Sequence, residues 1–184
     1  MVSGTAMEER LPARTEQVWA WLAEVPDPEI PAISVVDLGI VREVNWRQEA
    51  AGPVCEVVIT PTYSGCPATE VIGASIEDAL RGHGIDRVRL ESRIAPAWTT
   101  DWISAEGQRK LLEYGIAPPA RRADGRQVID ISGLRRGGDD EPAVACPNCG
   151  SLHTRVVSRF GSTPCKALYR CVECLEPFDY FKCH

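Results

Sequence analysis

Residues 53–84, "PVCEVVITPTYSGCPATEVIGASIEDALRGHG", place a strand, a turn and a helix in succession. The first part is a β-branched run, which is typical of a strand. After the turn, apolar residues recur at helical spacing and glycines close the segment, which predicts a helix whose buried face is Ile72, Ile76, Ala79 and Leu80. The corner between strand and helix holds one cysteine, Cys66.

The residues upstream predict a helix and a first strand. "TEQVWAWLAEV" (15–25) has one apolar helical face, with Thr15 as its N-cap, made of Val18, Trp21, Leu22 and Val25. "PDPEIP" (26–31) ends this helix because proline cannot donate a backbone hydrogen bond. "SVVDLGIVREVNW" (34–46) predicts a strand that joins the next one through the hairpin connection "RQEAAGP" (47–53).

Downstream, "DRVRLESRI" (86–94) alternates apolar and charged residues, as a half-buried strand does, and "SAEGQRKLLEYGI" (104–116) predicts a short helix. The order helix, strand, strand, helix, strand, helix predicts an α+β fold, a small sandwich of about three strands with helices on one face. Residues 118–143 are dominated by Pro, Gly, Arg and Asp and predict a linker, with one short edge strand at the apolar island "VIDI" (128–131) as the alternative left open. The expected organisation is a first domain over 1–117, the linker over 118–143, and a C-terminal zinc ribbon over 144–184.

The ribbon is predicted from four cysteines in the spacing C-x2-C-x21-C-x2-C, namely Cys146, Cys149, Cys171 and Cys174. Two such turns complete the tetrahedron that Zn²⁺ prefers, and a segment this short needs metal in order to fold. Four ligands leave no open position, so the zinc is expected to be structural. Iron held by four sulfurs, as in rubredoxin, ranks below zinc. The alternative without a metal site is four unconnected free cysteines.

Cys165, Cys183 and His184 are left over. A buried thiol that packs as a small apolar group is the commoner role for a spare cysteine. Cys183 with His184 would equally lend a thiolate or an imidazole to a second metal, and spacing alone leaves both alternatives open.

Cys66 follows Gly65 and precedes Pro67, a residue favoured at the first position of a helix. The sequence therefore predicts Cys66 as the N-cap, where backbone donors and the helix dipole lower a thiol pKa and favour the thiolate. The alternative is that Cys66 merely packs under the loop. Cys55, inside the preceding strand, is expected to be an ordinary strand residue.

Charge and missing motifs exclude several function classes. The net charge is −6, with −8 in residues 1–145 and +2 in residues 146–184, and neither part has the basic stripe of a nucleic-acid binder. No phosphate-binding glycine loop is present, and His83 is expected to be a capping or surface residue. Without an apolar leader or an apolar membrane span, the chain is expected to be cytoplasmic. Because no histidine lies near Cys66 in the sequence and no nucleotide motif is present, no catalysis of its own is expected.

Two motifs resemble those of the SufT-like family of iron–sulfur carrier and assembly domains. "DPEIP" (27–31) and "DLG" (37–39) precede "TPTYSGCP" (60–67), which matches that family's T-x-x-x-x-G-C-P loop. The resemblance spans about residues 15–117. It implies that Cys66 binds a labile iron–sulfur cluster or iron.

With the ribbon included, almost the whole chain resembles the phenylacetate-degradation D family (PaaD), through "PAWTTDWISAEGQRKLLEYGIAPP", "CPNCGS", "RFGSTPCKALYRC" and "EPFDYFKCH". This resemblance implies an accessory role beside the oxygenase and reductase subunits of a phenylacetyl-CoA epoxidase complex, in phenylacetate catabolism.

Because clusters usually take about four cysteine ligands, delivery through Cys66 requires a homodimer that supplies a second Cys66, or help from Cys165 or Cys183. A structural docking subunit without cofactor chemistry is the second hypothesis. A ribbon that binds nucleic acid is the third, and the acidic balance disfavours it.

Overall fold

A computed structural model describes residues 13–63, 65–119 and 144–182 of the chain. The helices are α1 (Thr15–Leu22), α2 (Thr69–Gly82) and α3 (Ala105–Glu113), and a short 3-10 turn covers Thr100–Trp102. The strands in chain order are β1 (Val41–Glu49), β2 (Gly52–Ile59), β3 (Val88–Ser92), β4 (Ile116–Ala117), β5 (Thr154–Ser158), β6 (Lys166–Cys171) and β7 (Pro177–Phe181).

The first sheet has the order β1-β2-β3 within the described residues. Strands β1 and β2 are antiparallel and joined by a two-residue turn, whereas β3 runs parallel to β2 and α2 makes the crossover between them. Helices α1 and α2 contact each other and this sheet. The predicted α+β sandwich of about three strands, with helices on one face, is confirmed.

Apolar spacing selects which helix faces are buried. Val18 and Leu22 of α1 are fully buried, as are Ile76 and Leu80 of α2. They lie in one core cluster with Val57 of β2. The predicted apolar faces are confirmed for Val18, Leu22, Val25, Ile72, Ile76 and Leu80. Trp21 and Ala79 are only partly buried.

Two local predictions in this part are wrong. Thr15 is the first helical residue rather than the cap, because Arg14 is the N-cap and its backbone N–H donates to the Gln17 side chain over 3.0 Å. The strand predicted over 34–46 begins only at Val41, since residues 34–39 fold into turns that end at Gly39, where φ is +68°. Those turns lie where the D-L-G motif stands.

Asp37 of that motif joins the turns to α3. Its carboxylate accepts hydrogen bonds from Lys110 Nζ at 2.7 Å, Ser104 Oγ at 2.7 Å and Ser34 Oγ at 3.1 Å. Ser104 is also the N-cap of α3 and accepts from the Gly107 backbone at 2.8 Å. Asp37 of the motif thus connects the turns of residues 34–39 to α3, although these two segments are distant in sequence.

The second sheet has the order β4-β7-β6-β5 among the described residues. Strands β5, β6 and β7 form the antiparallel ribbon that the cysteine spacing predicted. Strand β4, which precedes residues 118–143, pairs parallel with β7, Ile116 opposite Asp179 and Ala117 opposite Tyr180. The sequence did not predict this pairing.

A shared core also joins the two parts. Cys165 and Phe181 of the ribbon are buried in the same cluster as α1, α2 and β2, and the Phe181 ring contacts that of Trp98. The predicted limits at 117 and 144 stay a prediction. The predicted linker falls almost wholly in 120–143, outside the described residues.

Candidate functional site

Cys146, Cys149, Cys171 and Cys174 bring their sulfurs together at one end of the ribbon. All four sulfurs lie within 4.8 Å of one another. The Cys146–Cys174 and Cys149–Cys171 pairs are 3.7 and 3.6 Å apart. A tetrahedral ion with Zn–S bonds of about 2.3 Å places its sulfurs roughly 3.8 Å apart. The donor set therefore fits zinc.

Backbone hydrogen bonds shape each half of this cluster. The Gly150 N–H donates to the Cys146 carbonyl over 2.8 Å, and Gly150 has a φ of +74°. In the second half the Cys174 N–H donates to the Cys171 sulfur at 3.5 Å. This donor is the main reason that the pKa of Cys171 is lowered to about 7. The pKa values of Cys149 and Cys174 are instead raised, because the backbone hydrogen bonds that lower them are outweighed by burial and by hydrogen bonds with neighbouring sulfurs. Zinc binding must therefore displace protons from the cluster.

Cys66 lies in the loop between β2 and α2, and its predicted position is wrong. Helix α2 begins at Thr69 with Ala68 as N-cap, so Cys66 precedes the cap and Pro67 is not in the helix. The Cys66 carbonyl accepts from the Thr69 hydroxyl at 2.9 Å. The side chain is half-buried.

The predicted electrostatics of Cys66 are also wrong. Burial is the largest influence and raises the pKa of the thiol, and the negative charges of Glu29 and Asp27 raise it further. Polar contacts with Ala68 and Thr69 only reduce this shift. Cys66 is therefore expected to be a protonated thiol at neutral pH unless a cation binds it.

A small cavity at the junction of the two parts contains the Cys66 side chain. Cys165, from the ribbon, lines the same cavity. Glu29 and Asp27 of the D-P-E-I-P motif also line it, and so does Phe181 of the ribbon. The structure thus brings Cys66 and Cys165, two of the predicted cofactor ligands, to one site.

Cys165 is buried, and its thiol donates to Glu29 Oε2 over 3.6 Å. The Thr163 hydroxyl lies 3.1 Å from the same sulfur. Burial is the largest influence on this thiol and raises the pKa of Cys165 to about 11. The prediction that Cys165 is buried is confirmed. Its surroundings are not purely apolar, however, because the Glu29 carboxylate lies beside the thiol.

Asp27 positions Glu29. Its carboxylate accepts hydrogen bonds from the backbone of Glu29 at 2.9 Å and of Ile30 at 2.8 Å, which closes a tight turn. Burial, the largest influence, raises the pKa of Asp27 despite those bonds. Neither carboxylate was predicted as a site residue. The Asp-Pro-Glu turn was the available signal, although nothing local showed what the turn faces.

The remaining candidates are less informative. Cys55 is fully buried in β2, and burial raises its pKa to about 11, which agrees with an ordinary strand residue. His83 is the C-cap of α2 and stacks on Trp21 with ring centroids 4.3 Å apart, which agrees with a capping role. Cys183 and His184 lie outside the described residues. Across the described ranges, every helix is too short or too polar to cross a membrane.

Comparison with known proteins finds relatives for both parts. The family model described as iron–sulfur cluster assembly protein matches residues 15–89, and that of the PaaD zinc β-ribbon domain matches residues 132–182. A protein of Escherichia coli K12, named as the D-type subunit of 1,2-phenylacetyl-CoA epoxidase, is 45% identical over 172 residues, or 94% of either chain. With the ribbon matched and the sulfur geometry as described, the four-cysteine cluster is a structural zinc site.

Two solved structures resemble the first part of the chain. A domain of unknown function from Bacillus anthracis is 22% identical, covers 52% of this chain and 89% of its own, and has a TM-score of 0.47. A conserved hypothetical protein from Thermotoga maritima is 28% identical, covers 54% of this chain and 94% of its own, and has a TM-score of 0.44.

Proposed function

Because the chain belongs to the PaaD family of 1,2-phenylacetyl-CoA epoxidase proteins, we propose that it is an accessory protein of such a complex in phenylacetate catabolism. In this role it assembles or delivers iron, or an iron–sulfur cluster, to the oxygenase and reductase subunits through Cys66, and it catalyses no reaction itself. The match of residues 15–89 to iron–sulfur cluster assembly proteins supports this proposal.

The observation that carries the proposal is the donor set around Cys66. Cys66 is half-buried at a cavity that also holds the Cys165 thiol and the Glu29 carboxylate. Thiolates and carboxylates are ligands that iron accepts. A site with few donors and a partly exposed Cys66 suits a metal that must be released, whereas the zinc site with four thiolates suits one that stays.

The number of thiols bears on the form of the cargo. An iron–sulfur cluster usually takes about four cysteine ligands, and the cavity supplies Cys66 and Cys165. A cluster would need further thiolates, from Cys183 or from the Cys66 of a second chain in a homodimer. An iron ion without sulfide would need neither Cys183 nor a second chain.

The test is made in cells that depend on the epoxidase for growth on phenylacetate. Cys66→Ser should lower the iron content of the purified oxygenase and reductase subunits severalfold, while the zinc content of this chain stays at one ion. Cys55→Ala is the matched control because it removes a buried thiol that does not line the cavity. Normal iron in the partners of the Cys66→Ser protein would contradict the proposal.

A structural docking subunit is the second candidate, and the surface of the ribbon favours it. Large apolar side chains are exposed there, namely Leu152, Val157, Phe160, Val172 and Leu175. In this case Leu152→Ser with Leu175→Ser should abolish co-purification with the partners, and Cys66→Ser should leave both co-purification and partner iron unchanged.

A further inference from the structure

The cavity between the two parts has the chemistry of a small metal site. Cys165 comes from the ribbon, Cys66 from the loop before α2, and Glu29 from the turn after α1. These three residues are far apart in sequence, so the site exists only where the ribbon lies against the first part of the chain.

The distance between two donor atoms across this site fits two ligands of a single ion. Cys165 Sγ lies 3.6 Å from Glu29 Oε2. For a tetrahedral ion with a metal–sulfur bond of about 2.3 Å and a metal–oxygen bond of about 2.1 Å, the expected separation is roughly 3.6 Å. No movement of these two atoms is needed for both to reach one ion. The Cys66 sulfur must turn toward them, because among the described residues only the four ribbon cysteines already hold three or more donor atoms within 4.8 Å of one another.

The size of the cavity decides between an ion and a cluster. The volume open to the centre of a water molecule is about 10 Å³, which is room for one water or one ion. A cluster with two or more irons and bridging sulfides would require the ribbon to move away. Phe181, which lines the cavity and is 1% exposed, opposes such a movement because its ring would lose its buried contacts.

The charges around the cavity favour a cation. The Asp27 carboxylate is buried beside Glu29. On the ribbon side, the buried Lys166 forms an ion pair with Asp179 at 3.4 Å. With both thiols ionised, negative groups outnumber this lysine, and a divalent cation would restore the balance.

We propose that Cys66, Cys165 and Glu29 bind a single divalent transition-metal ion, without sulfide, at the junction of the two parts. Binding releases one proton from each thiol to solvent and involves no change of oxidation state. Three protein ligands leave a fourth position for water or for a ligand of the acceptor protein. The identification of the ion as ferrous iron rests on the proposed function, whereas the site itself does not.

Cobalt(II) is the probe, added anaerobically to the full-length, zinc-loaded protein with Cys183→Ser as background. One cobalt per chain is expected, with intense thiolate-to-cobalt absorption in the near ultraviolet and no loss of zinc. Cys66→Ser and Cys165→Ser should each roughly halve that absorption. Glu29→Gln should weaken cobalt binding at least tenfold and keep the thiolate bands at saturation.

Glu24→Gln and Cys55→Ala are the controls, since Glu24 is exposed and neither residue lines this cavity. Both should bind cobalt as the background protein does. Equal thermal stability and zinc content across all variants would show that each is folded.

Failure of this site differs from failure of the proposed function. Cobalt bound equally by Glu29→Gln, or absorption unaffected by Cys165→Ser, would overturn the site, as would recovery of sulfide with the metal after anaerobic purification from cells. Partner iron that stays normal in Cys66→Ser cells, despite cobalt binding as described, would overturn the delivery function and leave the site standing.

Discussion

The Trp98 ring of the first part and the Phe181 ring of the ribbon meet with centroids 6.0 Å apart and planes tilted by 54°. Trp98 is itself held by a hydrogen bond of 2.9 Å from its indole nitrogen to the Leu38 carbonyl. Phe181 also lines the cavity that contains Cys66, so the aromatic pair that joins the two parts includes a wall of the candidate site.

Phe181→Ala should destabilise the whole chain rather than the ribbon alone. A buried Phe→Ala change costs about 3–5 kcal/mol, and here the loss falls on a core that both parts share. Urea unfolding followed by tryptophan fluorescence would measure it, because all five tryptophans lie in the first part of the chain and report on its unfolding. Phe160→Ala is the control: Phe160 is 69% exposed, and its contact with Lys182 is worth under about 1 kcal/mol. Equal effects of the two changes would contradict the shared core.

Cys149→Ser should remove zinc and unfold the ribbon, because zinc binding by such sites supplies about 10–16 kcal/mol. Zinc per chain, with hydrogen exchange of β5 to β7, would measure the loss. Val172→Ser changes an exposed residue between two ligands and should keep its zinc. A zinc-loaded Cys149→Ser protein would rule out the fourfold ligation.

Asp37→Asn should remove a pH-dependent part of the stability. Partial burial alone would raise the pKa of Asp37, but the hydrogen bonds from Lys110, Ser104 and Ser34 outweigh it and lower the pKa. A folded-state pKa below the unfolded value of about 3.9 gives stability that is present above that value and lost as pH falls toward the folded-state pKa.

Unfolding at pH 7 should show a loss of about 1–3 kcal/mol in Asp37→Asn, and this difference should shrink between about pH 5 and pH 2. Asp101→Asn is the control, since that residue is exposed. A difference between wild type and Asp37→Asn that stays constant over this pH range would show that the carboxylate charge does not matter.

Gly39→Ala should destabilise the chain by more than about 2 kcal/mol. The backbone there has a φ of +68°, and an added Cβ would lie 2.5 Å from the Trp102 carbonyl oxygen. Gly82→Ala, at the end of α2, meets nothing within 4 Å and should stabilise by up to about 1 kcal/mol. Thermal unfolding of the two variants should therefore shift in opposite directions.

Alkylation of Cys66 by iodoacetamide should be slow at pH 7 and should accelerate up to and beyond pH 9. The raised pKa leaves little thiolate at neutral pH. Mass spectrometry of the zinc-loaded Cys183→Ser protein would follow the reaction. If Glu29 contributes through its charge, Glu29→Gln should speed the reaction at neutral pH. Alkylation faster than that of free cysteine at pH 7 would restore the thiolate prediction.

The sequence predicts what depends on local pattern. Apolar spacing identified most of the buried residues of α1 and α2. The paired C-x2-C turns identified the zinc cluster, because all four ligands lie within the ribbon segment itself. The position of Cys66 failed for a local reason: Pro67 suits a first helical turn, yet the chain makes one more turn before α2 begins.

The cavity was not predictable in this way. Glu29 and Cys165 are 136 positions apart, and they meet because β4 pairs with β7 and Phe181 enters the first core. None of these contacts has a periodic signature. The D-P-E-I-P motif indicated a turn, but the residue that this turn faces across the junction, Cys165, is set by tertiary packing.

The β4–β7 pairing also bears on what a protease cut between residues 119 and 144 would produce. Ile116 and Ala117 stay on the N-terminal fragment, while Asp179 and Tyr180 belong to the C-terminal one. The nicked chain should therefore elute as a single species and separate only in denaturant. Co-expressed halves should associate in the same way. The chain could therefore be used as a split protein in which binding of the two halves is followed directly.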